Sequence, residues 1–297
     1  MKKIFVLVMA FILAGCGTNH AEQNPEPSGE ENTNGGNIEE NQKEQADGTE
    51  GQTSHENDEP EENGEEEQME ESNEPSRDEP MMSQYYVDGN WSVKPIDGAK
   101  EEVVLITIDD APDKYGLEMA KTLKELDVPA IFFVNGIFIE AGNGREQLKD
   151  IYDMGFEIGN HTFSHKKLSE LSKEEQYEEI VRVNDLVEEI TGERPKFFRA
   201  PFGVNTDYSK QVAKDEGMVV MNWSFGYDWN QEYMNEKALA DIMVNAKELG
   251  NGSNLLMHDR EWTFKALDDI VAGLREKGFG FVDPDLIETS REVQEDM

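Results

Sequence analysis

A chain of 297 residues with 65 acidic against 27 basic side chains carries a formal net charge of −38. That balance excludes nucleic acid and anionic lipid headgroups as binding partners of the folded part, because both are recognised by clustered Lys and Arg. A cationic or neutral partner, or a salty habitat, is compatible with it, and a single cysteine leaves folding to a packed core rather than to disulfides.

At the N-terminus, Lys2 and Lys3 precede an apolar run over residues 4–13. The run is about half of the roughly 20 residues a membrane-spanning helix needs, and it stops at small residues. Residues 1–15 therefore read as a signal peptide and the chain as exported. Leu13-Ala14-Gly15-Cys16 resembles the lipobox of bacterial lipoproteins, which implies a diacylglycerol on Cys16 and an anchor in the lipid bilayer at the outer face of the cell membrane. Residues 16–80 are dominated by Glu, Asn, Gln, Gly, Ser and Asp, too few of them apolar to offset chain entropy. The expectation is a disordered acidic tether with a random-coil span of roughly 40–50 Å and a contour limit near ~220 Å.

Residues 81–297 are long enough for one domain with a sizeable core. Residues 103–108 (VVLITI) predict a strand buried on both faces. Further strands are expected at 130–134, 156–158, 219–223 and 254–257, and helices at 117–126, 145–153, 173–191, 237–249 and 263–277. Strand–helix alternation of this kind predicts an α/β fold with a parallel sheet, and periodicity alone leaves barrel closure open. Glycines after Thr191 and Lys277 read as helix C-caps.

The predicted domain holds three histidines, His161, His165 and His258, each at or just after a predicted strand end. Functional groups collect at the carboxyl ends of strands in parallel α/β folds. Asp109 and Asp110 end the 103–108 strand, and His161 and His165 are spaced to share a metal. Taken alone, such aspartates also serve as caps, and histidines at this spacing also occur on surfaces. Together, one carboxylate and two imidazoles suit Zn²⁺ or a similar divalent ion with positions open for water and substrate, and a second carboxylate remains as a base.

Thr107-Ile108-Asp109-Asp110-Ala111-Pro112 resembles the first motif of NodB-type polysaccharide deacetylases, carbohydrate esterase family four. The segment from His161 to His165 resembles the second, Arg199-Ala200-Pro201-Phe202 the third, Asp228-Trp229 the end of the fourth, and Leu256-Met257-His258 the fifth. The five occur in family order. The resemblance implies a distorted (β/α) barrel of parallel strands with outer helices, and hydrolysis of N-acetyl groups on an acetylated amino-sugar polysaccharide. It also implies roles: Asp110, His161 and His165 hold the metal, Asp109 is the base, and His258 protonates the departing amine. Arg199 holds and orients the Asp109 carboxylate, Asp228 favours the imidazolium of His258, and the Phe202 N–H faces the oxyanion. Trp229 and Leu256 are candidates for the pocket that receives the acetyl methyl, and ordinary core packing explains them equally well.

The sequence departs from the family pattern twice. Ala111 stands where glycine is usual, so the turn after the aspartates either avoids a positive φ or is strained. Phe225 stands where the fourth motif usually has Asp, and that motif is one residue short. Two other functions stay open at this point: a glycan-binding lipoprotein that has lost turnover, and an esterase removing O-acetyl groups from a xylan-type polymer.

Overall fold

The structure, a computed structural model, describes residues 82–289. The expected signal peptide, Cys16 and the tether to residue 80 lie outside the described residues. The described chain opens with an antiparallel hairpin, β1 (Tyr85–Val87) and β2 (Val93–Pro95). It continues with β3 (Val103–Ala111), α1 (Gly116–Glu125), β4 (Ala130–Val134), α2 (Gly136–Ile139), α3 (Gly144–Asp153) and β5 (Glu157–Asn160). Next come α4 (Lys173–Thr191), β6 (Phe197–Phe198), α5 (Asp207–Asp215), β7 (Val219–Val220), α6 (Glu236–Asn245), β8 (Ser253–His258), α7 (Glu261–Glu276) and β9 (Gly280–Phe281).

β7, β6, β5, β4, β3 and β8 lie side by side in that order, and β9 adds to the start of β3; every pairing is parallel. The sheet curls until its two edges share one segment. After β7, the Met221 N–H still bonds the Phe198 carbonyl at 2.8 Å, while the Ser224 N–H reaches the Asn254 carbonyl at 2.9 Å and the Leu256 N–H reaches the Phe225 carbonyl at 2.9 Å. Residues 221–225 thus close a distorted (β/α) barrel. The strand expected to run to 223 is paired as a strand only to Val220 and continues as this irregular closing piece.

Alternation along β3 explains its nearly continuous apolar run, broken only by Thr107. Val104, Ile106 and Ile108 pack outward against the helices, with Met119, Leu123, Leu267 and Ile270. Val103 and Leu105 pack inward with Ile131, Phe133, Phe197 and Met221, and the hairpin residues Tyr85, Val87 and Val93 join this inner cluster. Both faces of the strand are therefore dry. Helix ends follow local chemistry. Ser172 and Glu175 form a reciprocal capping box at the start of α4, and Gly192 ends it in the left-handed conformation. The helix expected to reach residue 249 stops at Asn245, because the chain turns at Ala246 (ψ 140°) towards β8.

Candidate active site

On a regular strand, neighbouring side chains face opposite sides. Asp109 and Asp110 escape that rule. The register of β3 against β4 shifts between Ile108 and Ala111, and Asp110 takes φ 65°, so both carboxylates face the carboxyl end of the barrel. The positive φ falls on Asp110 rather than on Ala111, which is fully buried within β3. Alanine in place of the usual glycine thus carries no backbone strain here.

Beneath the aspartates lies Arg199, just after β6 and fully buried. Its Nη1 donates to Asp109 Oδ1 at 2.7 Å and to Thr107 Oγ1 at 2.8 Å, its Nη2 donates to the Asn222 carbonyl at 2.8 Å, and its Nε donates to the Met221 carbonyl at 3.2 Å. The guanidinium sits 4.1 Å from the centre of the Phe133 ring. A planar fork with this many fixed partners holds Asp109 in one orientation.

His161 and His165 follow β5 on a loop that two polar side chains pin in place. Asn135 Nδ2 donates to the carbonyls of His161 (2.6 Å) and Thr162 (3.1 Å). Glu179 on α4 accepts from the Ser164 N–H at 2.7 Å and from its hydroxyl. His161 Nδ1 lies 2.7 Å from the Arg199 carbonyl, which only accepts, so Nδ1 donates to it and Nε2 is the nitrogen turned towards the aspartates. That Nε2 is 3.5 Å from Asp109 Oδ2 and 3.9 Å from Asp110 Oδ1, and His165 Nε2 is 3.5 Å from Asp110 Oδ1. Donor atoms of Asp110, His161 and His165 converge within 4.8 Å of one another. Burial, aided by the neighbouring His161, holds the His165 pKa below its usual range. Burial works against an ionised Asp110, but His161, His258, His165 and Arg260 together hold its carboxyl below the usual range. One carboxylate oxygen and two imidazole nitrogens gathered this closely are a donor set that fits a divalent cation.

His258 ends β8 on the opposite side of the aspartates. Asp228 holds it twice, accepting from its N–H at 2.6 Å with Oδ2 and from its Nδ1 at 2.8 Å with Oδ1. Thr263 Oγ1 also donates to Asp228 Oδ2 at 2.8 Å, and Trp262 Nε1 donates to the Asp228 carbonyl at 2.8 Å. Burial opposes the imidazolium, yet Asp228, with Asp109 and Asp110, outweighs it and raises the His258 pKa. The altered fourth motif leaves this pairing complete: Phe225 packs into the core, and its backbone supplies the closing bond to β8. Gly226 follows because a Cβ there would come within 2.4 Å of the Leu256 carbonyl.

Every residue expected at the site except Arg199, which lies below its floor, lines one cavity of about 560 Å³. Leu256 is buried at its base, while Trp229 and Phe202 are exposed at its rim, where Trp229 meets His258 edge-on at 5.5 Å and Phe202 meets His165 at 4.9 Å. Trp223, Met234, Arg260 and Trp262 also line it and were not foreseen. Nor was Asp259, whose buried carboxylate accepts the N–H groups of Asp113, Lys114, Tyr115 and Gly116 at 2.6–3.1 Å and so caps α1. A signal was present: Asp259-Arg260 follows a buried strand just as Asp109-Asp110 does.

The polysaccharide deacetylase family model matches residues 97–221. A peptidoglycan-N-acetylglucosamine deacetylase of Bacillus cereus is 32% identical over 204 residues, 65% of this chain and 70% of that protein. The peptidoglycan-N-acetylmuramic acid deacetylase PdaC of Bacillus subtilis is 30% identical over 199 residues, 66% of this chain but only 40% of the longer relative. Among solved structures, a CE4 family pseudoenzyme from Bacillus anthracis superimposes with a TM-score of 0.56 at 27% identity, covering 63% of this chain and 66% of that one. The matched span, the curled parallel sheet and the order of motifs along it agree, and the chain belongs to the polysaccharide deacetylase family.

Proposed function

We propose that this chain is a metal-dependent hydrolase that removes N-acetyl groups from an amino-sugar polymer of the cell wall or matrix, with peptidoglycan N-acetylglucosamine as the first candidate. The observation that carries the reading is the pairing of opposed groups across one cavity: Asp109 on Arg199 at 2.7 Å, and His258 on Asp228 at 2.8 Å. Environments that separate a carboxylate from an imidazolium in this way assign a base and an acid.

Asp109 takes a proton from the attacking water, and His258 gives one to the sugar nitrogen as the C–N bond of the acetamide breaks, leaving acetate and an amine. The Phe202 N–H faces the carbonyl oxygen as negative charge develops there, and Leu256 and Trp229 enclose the acetyl methyl. Asp110, His161 and His165 would hold one divalent ion, zinc in our reading, which would supply Lewis acidity to the reaction. Cys16, lipidated at the end of the signal peptide, keeps the domain on the outer face of the cell membrane within reach of the wall. A pseudoenzyme of the same fold makes the site, not the fold, the deciding feature, and the meeting of Asp109, His258, Asp110, His161 and His165 in one cavity supports turnover here.

The test is acetate release by residues 81–297 from peptidoglycan, N-acetylglucosamine oligomers and acetylated xylan, with zinc, with chelator, and with Asp110→Ala. Metal-dependent release from the amino-sugar polymers that vanishes in the variant is expected. Release from xylan alone would make it an esterase, and tight substrate binding without turnover would make it a glycan-binding protein.

A further inference from the structure

The cavity contains a cation that the proposed chemistry does not use. Arg260, the first residue after Asp259, sends Nη2 to Asp110 Oδ2 at 2.7 Å. Its Nη1 donates to the carbonyl of Asp259 at 2.8 Å and lies 4.0 Å from Asp113 Oδ2. The two oxygens of Asp110 are thereby divided: Oδ1 faces His165 and His161, and Oδ2 faces the guanidinium.

We propose that Arg260 is a positioning residue for Asp110, occupying Oδ2 so that the carboxylate offers a metal ion one oxygen only. This inference rests on the reading of Asp110, His161 and His165 as a metal site. Three features support it. The ion pair joins residues 150 apart in sequence, so it exists only because β3 and β8 lie side by side. Arg260 is held by the same short loop that fixes the Asp110 turn, since the Asp259 N–H donates to the Asp109 carbonyl at 2.9 Å while the Asp259 carboxylate collects the amides of residues 113–116. Finally, Asp110 sits at φ 65°, where its side-chain direction is set by its neighbours rather than by a regular strand. A carboxylate that is free at both oxygens can close on a cation with both, filling a position that water or substrate needs; a guanidinium on one oxygen prevents that. Its charge also withdraws electron density from the ligand, which makes the bound cation a stronger Lewis acid.

The experiment uses the purified metal-free domain, wild type, Arg260→Ala and Arg260→Lys, with thermal melts confirming that each folds. Zinc affinity is measured by calorimetry, and the visible spectrum of the cobalt-loaded protein reports the number of ligands. Arg260→Ala is expected to lose visible cobalt absorbance as Asp110 adds its second oxygen, and to bind zinc at least as tightly as wild type, because a repelling charge is removed and a ligand atom is gained. Arg260→Lys, which keeps a cation for one oxygen, is expected to recover part of the absorbance. An unchanged spectrum in Arg260→Ala would overturn the proposal whatever the affinity does, and tighter zinc binding with that unchanged spectrum would leave Arg260 a repelling charge only. A wild-type domain that takes up neither zinc nor cobalt would instead remove the metal reading itself, and this proposal with it.

Discussion

Asp228 binds through both carboxylate oxygens and its carbonyl, to His258, Thr263 and Trp262, so its charge is both buried and fully partnered. Burial disfavours the His258 imidazolium and Asp228 more than restores it, so the folded pKa is raised. The stability this pair contributes is full below the ordinary histidine range and is lost as pH rises through the folded value. His258, the proposed acid, should likewise stay protonated further into the alkaline range. Asp228→Asn keeps the shape and removes the charge; it is expected to lower kcat by about a hundredfold or more and to move the alkaline limb of the kcat/KM profile to lower pH. A limb that stays in place would show that another group is the acid. Glu157, at the opposite end of the barrel, shows the reverse sign. Burial pushes its carboxyl up to about 7, against the pull of Lys196 at 3.2 Å. Between its ordinary 4.5 and about 7 the folded chain keeps a proton that the unfolded chain releases, so stability falls as pH rises through that window. Glu157→Gln should remove this part of the fall, on the order of 3 kcal/mol, which urea melts of both proteins at pH 5 and pH 8 would measure.

Among the elements, the piece that closes the barrel is the most exacting. At Gly226 the backbone runs so near the Leu256 carbonyl that a Cβ would stand 2.4 Å from it and 2.7 Å from the Trp229 ring. Gly226→Ala is expected to cost about 1–3 kcal/mol and to lower kcat with it, because Leu256 and Trp229 line the cavity; a thermal melt and an acetate assay on one preparation check both. This segment was also the least legible from sequence. Periodicity revealed β3, whose six apolar residues exceed what a surface strand contains, and α4, whose ends are marked by Ser172 and Gly192. It missed β6, since Phe197 and Phe198 are too few to show a period, and α5, whose buried face is little more than Val212 and Ala213. It also missed the hairpin, because β1 and β2 have three residues each. The same contrast holds at the site. Asp109, Asp110 and the histidines were legible because such residues are rare at the ends of apolar strands. Asn135, Asp259 and Arg260 were not, because common polar residues acquire roles only through partners that folding brings near.

For the molecule as a whole, the proposed metal would be a term in folding. A cation that binds the folded chain and not the unfolded one adds about 2.7 kcal/mol when free metal stands a hundredfold above Kd. Chelation should therefore lower the melting midpoint by roughly 5–10 °C for a domain of this size, and Asp110→Ala should erase the difference between chelated and zinc-loaded samples. Part of that gain offsets what the site costs. Asp110, Thr162, His165 and Phe202 all hold positive φ, at 65°, 68°, 56° and 59°, in a conformation that disfavours L-residues by about 1–2 kcal/mol each. A laboratory selection that rewarded heat resistance and ignored turnover would strip these four positions first, installing glycine or asparagine and leaving a sturdier, idle barrel. In a lineage of such barrels, the same four positions would be the earliest record of when the chemistry was abandoned.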